Sequence, residues 1–183
     1  MYNTLLEAEE PALVVECLNG YRKKERCPSN LGDFRVALGD VETLREGSDL
    51  TLLSYGSTLH LCEEACVRLS DLGVEVELLD AQTLLPFDLE GKVAKSVAKT
   101  NRLLVVDEDV PGGASAYLLD DVLNRQRAWN HLDGQAKTLT AKPHLPAYGS
   151  DGDYFSKPSV DDIVESAYNM LREVDSTSYP SLR

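Results

Sequence analysis

Leu103-Leu104-Val105-Val106-Asp107-Glu108-Asp109-Val110-Pro111-Gly112-Gly113-Ala114 is the stretch whose reading decides the fold. The apolar run that opens it, within residues 102–107, is too short for a helix and reads as a buried strand. Acids follow, then a glycine pair, then a helical pattern starting near Ser115 with Leu119, Val122 and Leu123 inward over residues 117–127. A strand that ends in acids and glycines is how an open parallel sheet brings polar groups to its functional edge. Two kinds of protein carry such an edge. One is an acidic metal or phosphate enzyme; the other shapes a partner's active site and does no chemistry itself.

Outward from this unit the same alternation recurs. Residues 51–55 read as a strand, Gly56 and Ser57 as a turn, and Leu59, Cys62, Ala65, Cys66 and Leu69 as one stripe of a helix stopped at Gly73. Residues 74–79 form the next strand, ending at Asp80, and a loop with Pro86 leads to a helix over 89–98 with Val93 and Val97 on one face. After the 117–127 helix comes a short strand at 137–141, then a long loop at 142–157. Ser159-Val160-Asp161-Asp162 has the form of a capping box, ahead of a helix whose inward face is Val160, Ile163, Val164, Ala167, Met170 and Leu171. Strand and helix in repeated alternation give an α/β fold: a mainly parallel sheet with helices on both faces.

The first 48 residues stand outside this rhythm. Residues 2–9 are helix-like, 12–18 read as a strongly apolar strand, and the polar stretch 19–33, with Arg22-Lys23-Lys24-Glu25-Arg26, as loop. One helix and one strand cannot make a core, so these pieces read as the end of a preceding domain. Residues 175–183 are polar and are expected to fray.

Bulk composition narrows the function. The 183 residues suit one domain, or one domain and part of another. With 31 acidic against 18 basic side chains the formal charge is -13, which opposes non-specific nucleic-acid binding and suits a basic partner. No apolar run approaches the ~20 residues of a membrane span. The start, residues 1–11, has no signal-peptide pattern. Cys17, Cys27, Cys62 and Cys66 lack a metal-ligand rhythm and read as buried free thiols of a reducing cytoplasm.

The carboxyl ends of the strands would gather Gly56, Ser57 and Thr58, then Asp80, then Asp107 to Asp109, then residues 142–148 with His144. Carboxylates and hydroxyls suit Mg²⁺, a hard ion that prefers oxygen. Asp107-x-Asp109 is like the acid pair of phosphoaspartate phosphatases, though that pair follows the first strand of its domain and this one the third. The alternative function is therefore a free-standing Mg²⁺-dependent phosphoryl-transfer or hydrolase domain using Asp107 and Asp109. No P-loop, G-x-G-x-x-G or G-x-S-x-G is present. Ser57 or Thr58 reads as the N-cap of its helix. His60, His131 and His144 lack paired spacing, which argues against zinc. Gly112 and Gly113 permit positive φ or close backbone approach, for packing or for an interface. The aromatic loop 143–155 is long enough to suggest a contact surface.

Several stretches together resemble the C-terminal domain of the beta subunit, or of a fused alpha/beta chain, of thiamine-diphosphate-dependent 2-oxo acid dehydrogenases of the pyruvate and branched-chain 2-oxoisovalerate type. They are Arg45-Glu46-Gly47-Ser48-Asp49-Leu50-Thr51-Leu52-Leu53, Tyr55-Gly56-Ser57-Thr58-Leu59-His60, Val76-Glu77-Leu78-Leu79-Asp80-Ala81-Gln82-Thr83-Leu84-Leu85-Pro86-Phe87-Asp88, Ser96-Val97-Ala98-Lys99-Thr100-Asn101-Arg102-Leu103-Leu104-Val105-Val106, the Glu108 to Gly113 segment, Leu132-Asp133 and Ser156-Lys157-Pro158. The resemblance implies a transketolase C-terminal fold: three layers, α/β/α, around a mostly parallel five-stranded sheet with one antiparallel edge. Its fifth strand is unseen in the pattern or lies near 35–38.

It further implies that residues 1–37 are a remnant of the preceding pyrimidine-binding domain and linker, that 38–173 are the C-terminal domain, and that 174–183 are a flexible tail. Thiamine diphosphate and Mg²⁺ are expected in the whole enzyme, held by residues outside this chain, so no catalytic, cofactor or metal residue is assigned within it. The implied partners are an alpha subunit or alpha-like region, a second beta chain, and the subunit-binding domain of a dihydrolipoyl acyltransferase. Asp133 is the acid expected to pair with that basic domain. No nucleic acid or membrane partner is implied, and the isolated chain is expected to be inactive.

Overall fold

In the computed structural model residues 1–24, 26–145, 148–149 and 152–181 are described, apart from the side chains of Asn19 and Asp153. The chain runs α1 (Tyr2–Glu7), a 3-10 turn (Leu18–Arg22), β1 (Glu42–Arg45), β2 (Leu50–Ser54), α2 (Thr58–Asp71), β3 (Val76–Asp80), α3 (Lys92–Thr100), β4 (Leu103–Val106) and α4 (Ala114–Asp120). A π-helical turn (Asp121–Arg125) and a 3-10 turn (Ala128–His131) lead to β5 (Lys137–Leu139), α5 (Gly152–Ser156) and α6 (Val160–Val174).

The five strands are ordered β1-β3-β2-β4-β5. Four are mutually parallel, and β1 lies antiparallel on β3 with an irregularity between Thr43 and Arg45. Strand alternation sorts side chains to two cores. Leu50, Leu52, Val76, Leu78, Leu104 and Val106 face α2 and α6. Leu53, Leu79, Leu103 and Val105 face Val93 and Val97 of α3 and Leu118 of α4. The result is the expected three-layer α/β/α arrangement.

Local chemistry fixes the ends of these elements. Ser159 and Asp162 close a reciprocal capping box on α6, worth about 1 kcal/mol. α3 begins at a left-handed Gly91, and the buried Asp88 supplies its cap instead, accepting from Lys92 N and Val93 N at 2.8 Å each. Gly47 lets the β1–β2 turn press on β3, since a Cβ there would meet Val76 C at 2.2 Å and Glu77 N at 2.3 Å.

Several expectations need correction. The fifth strand is Glu42–Arg45, not 35–38, and its first three residues are exposed, so no apolar pattern announced it. Residues 12–18 form no strand: they run across the surface unpaired until the 3-10 turn, because neither sheet edge receives them. The third helix begins earlier, at Ala114, and passes into a π turn at Asp121. The long loop carries the short α5. Glu25, Pro146, Ala147, Ser150, Asp151, Leu182 and Arg183, which enter the loop and tail expectations, lie outside the described residues. All four cysteines are free, but only Cys62 and Cys66 are buried; Cys27 is exposed and Cys17 half-buried. Burial pushes the Cys62 thiol up to about 12 and the Cys66 thiol to about 11.

Candidate functional site

The helices that follow β2 and β4 lie on opposite faces of the sheet, so the crevice between these neighbouring strands is its switch point. In open α/β sheets this is where ligands settle. Here the protein's own side chains fill it. Ser54 Oγ donates to Val106 O at 2.9 Å, Tyr55 OH to Asp107 Oδ1 at 2.7 Å, and Ser57 Oγ to Glu108 Oε2 at 2.6 Å.

Asp107 is completely buried, and both its oxygens are in use. Besides Tyr55, Oδ1 accepts from Asp109 N at 3.0 Å, and Oδ2 accepts from Ser115 N at 2.9 Å. Burial pushes this carboxyl up, but the hydrogen bonds from Asp109 N, Tyr55 and Ser115 outweigh it and hold it below the usual carboxylate range. Burial, then the bond to Asp107, pushes the Tyr55 phenol well above its ordinary value. This is a carboxylate that ties a strand end to a helix start, with no lone pair directed at solvent.

The other predicted edge residues likewise bond to groups of the protein itself. Asp80 Oδ1 accepts from Gln82 N at 2.9 Å, and burial, with Glu42 nearby, holds its carboxyl above the usual range. Asp109 Oδ1 accepts from Val110 N at 2.7 Å. Glu108 also takes Lys157 Nζ at 3.3 Å. Ser57 stands at the N-cap position of α2 but in helical conformation, and its hydroxyl goes to Glu108 rather than to the helix. His144 Nδ1 contacts Leu145 O, and His60 pairs with Glu63 on the exposed face of α2. Among the described residues no group of three His, Cys, Asp or Glu is arranged to hold a metal.

The two glycines of the opening stretch have separate reasons. Gly112 has φ +93°, and a Cβ on Gly113 would lie 2.5 Å from Asp109 Oδ2. In the loop after β5, Lys142 Nζ sits 4.3 Å from the Phe155 ring centroid, and Tyr148 and Tyr154 are exposed.

Asp133 lies at the opposite, amino end of the sheet. Its amide donates to Asn101 O at 3.0 Å, and its Oδ2 pairs with Arg102 Nη2 at 2.6 Å. Arg102 also donates through Nη1 to Asp49 O at 3.1 Å, so one guanidinium joins the starts of β2 and β4 to the loop before β5. Asp133 keeps 32% of its side chain exposed. The family resemblance points to Asp133 but not to Arg102, whose signal in the sequence is a basic residue at the head of an apolar strand. The chain end packs nearby: Asp175 Oδ1 accepts from Thr177 N and Ser178 N, and Tyr179 meets Tyr168 edge-on at 5.9 Å. Depressions of about 450 Å³ and 560 Å³ lie on the outer side of α6, lined by residues such as Asn169 and Arg172, away from the carboxyl edge.

Residues 39–158 match the family described as transketolase, C-terminal domain. This chain belongs to that family. The chain is 32% identical over 171 residues to the acetoin:2,6-dichlorophenolindophenol oxidoreductase subunit beta of Bacillus subtilis (strain 168), covering 92% of this chain and 48% of that one. It is 40% identical over 94 residues to the mitochondrial 2-oxoisovalerate dehydrogenase subunit beta 2 of Arabidopsis thaliana (51% and 26%). It is 27% identical over 172 residues to the pyruvate dehydrogenase E1 component subunit beta of Mesostigma viride (93% and 51%). The chain thus spans about half, or less, of the length of these curated relatives. In fold it is similar to a split gene transketolase described as an inactive beta4 tetramer, with TM-score 0.61 and 19% identity over 78% of this chain and 45% of that one. No helix among the described residues is long and apolar enough to cross a membrane.

Proposed function

We propose that this chain is the C-terminal assembly and partner-docking domain of the decarboxylating component of a 2-oxo acid dehydrogenase complex, which oxidatively decarboxylates a 2-oxo acid and passes the acyl group to lipoyl. The observation that carries this is the match, over nine-tenths of the chain, to the beta subunits of an acetoin oxidoreductase and of a pyruvate dehydrogenase E1 component. The filled switch point supports it, because the crevice that would hold a ligand is closed by Tyr55, Asp107, Ser57 and Glu108. The same saturation of Asp107 weighs against the Mg²⁺-dependent alternative.

In the whole enzyme, thiamine diphosphate with Mg²⁺ supplies the electron sink for decarboxylation. The described residues of this chain include no group of three His, Cys, Asp or Glu arranged to hold a metal, and none of them is assigned to it. Their part is structural: residues 38–173 form the domain, 1–37 correspond to the end of a preceding pyrimidine-binding domain, and 174–183 are the tail. The domain meets an alpha subunit or alpha-like region and a second beta chain. Asp133, paired with Arg102 and about one-third exposed, presents its carboxylate to a basic group of the acyltransferase's subunit-binding domain. Four free thiols, one of them exposed, suit the cytoplasm.

The purified chain, given thiamine diphosphate, Mg²⁺ and either pyruvate or a branched-chain 2-oxo acid, is expected to show no reduction of 2,6-dichlorophenolindophenol. It is also expected to give no binding heat with thiamine diphosphate. Sustained turnover by this chain alone would overturn the assignment.

A further inference from the structure

Asp133 is followed directly by Gly134, in the loop between the 3-10 turn Ala128–His131 and β5. Neither residue belongs to a helix or strand, and both are exposed. The amide of Gly134 donates to no other described residue, whereas that of Gly152, which follows Asp151, goes to Gly149 O at 3.4 Å. What holds the pair is the Asp133 amide on Asn101 O at 3.0 Å and the Asp133 carboxylate on Arg102 Nη2 at 2.6 Å.

The carboxyl carbon of an aspartate and the amide nitrogen of the next residue can close a five-membered ring. A side chain on that next residue obstructs the closure; glycine has none and leaves the backbone free to turn. Gly134 therefore presents an unhindered, unengaged nitrogen beside an acid that water reaches. Closure forms a bond from Gly134 N to Asp133 Cγ and breaks one Cγ–O bond. The oxygen leaves as water, carrying the amide proton and the carboxyl proton. Solvent water then opens the ring at either carbonyl. Opening at Cγ restores aspartate, and opening at the backbone carbonyl leaves isoaspartate, with the chain running through Cγ. The water lost in the first step is regained in the second, so no oxidant, reductant or cofactor enters.

We propose that Asp133-Gly134 is a site of spontaneous isomerisation to isoaspartate, guarded by Arg102, which has to release the carboxylate before the ring can close. Isomerisation adds one carbon to the backbone and takes one from the side chain, so the new carboxylate is drawn away from Arg102. The consequence for docking rests on the reading of Asp133 given above: the chain loses its docking acid as it ages.

The test incubates the whole 183-residue chain for weeks at neutral pH. Trypsin cuts after Arg127 and Lys137, so residues 128–137 leave as one peptide whose sole acidic side chain is Asp133. A second form of that peptide should accumulate, equal in mass but resistant to a protease that cuts before aspartate. Gly134→Ala should slow this at least tenfold. The variant keeps the fold, because Gly134 is not at positive φ and a Cβ there meets only Val174 Cγ2, at 3.4 Å. Asp133→Asn should react at least tenfold faster, with ammonia leaving in place of water. A free peptide of residues 128–137, which lacks Arg102, should isomerise several-fold faster than the folded chain. Absence of isoaspartate at position 133, equal accumulation in Gly134→Ala, or a free peptide no faster than the folded chain would each overturn the proposal. Titration with the acyltransferase's subunit-binding domain separates the two readings. The isomerised chain should bind at least tenfold more weakly, and unchanged affinity would overturn the docking consequence while the modified peptide still establishes the site.

Discussion

Asp107 shows how little a residue's type says about its task. Three protein donors converge on its buried carboxylate, so its charge is spent inside the fold. Asp107→Asn presents an amide N–H₂ to at least one of those donors and should cost about 1–3 kcal/mol at neutral pH. Because the folded carboxyl sits below its unfolded value, its contribution is complete above about pH 4 and is lost as pH falls through the folded value. Urea unfolding across the acid range should therefore find the wild type and Asp107→Asn converging as pH drops. A gap that stays constant with pH would show that the carboxylate's charge is not what the three donors stabilise. The sequence placed this acid at the carboxyl edge of the sheet but could not show that Tyr55, more than fifty positions away, closes over it.

At the scale of elements, what was legible was what local patterning controls. The parallel strands are buried apolar runs, the helices carry one stripe each, and the Ser159–Asp162 box starts α6 where the sequence places it. β1 was not legible, because an edge strand with exposed Glu42, Thr43 and Leu44 is specified by its partner β3 rather than by its own pattern. Residues 12–18 fail the opposite way: they have a strand's composition but no strand to pair with here. The β1–β2 turn gives a direct test of how elements are joined. Gly47→Ala drives a Cβ into the backbone of β3, which cannot yield, and should cost more than about 3 kcal/mol. Gly73→Ala, at φ +78° with nothing within 4 Å, should cost only about 1 kcal/mol. Thermal unfolding of the two variants should rank them clearly, and equal losses would contradict the close approach of the β1–β2 turn to β3.

For the whole molecule, the two ends of the sheet differ. The carboxyl end is sealed by its own hydrogen bonds, while the amino end exposes an acid held in place by Arg102. A formal charge of -13 favours encounter with a basic partner and makes it salt-dependent. Asp133→Arg would set two guanidinium groups together, so Asp133→Asn, which still offers Arg102 an acceptor, is the cleaner probe. Calorimetric titration of the chain with the subunit-binding domain of a dihydrolipoyl acyltransferase tests the docking claim most directly. One-to-one binding that weakens with salt, and at least tenfold in Asp133→Asn (about 1.4 kcal/mol or more), is the predicted result. Absence of binding, or an affinity that Asp133→Asn leaves unchanged, would contradict it.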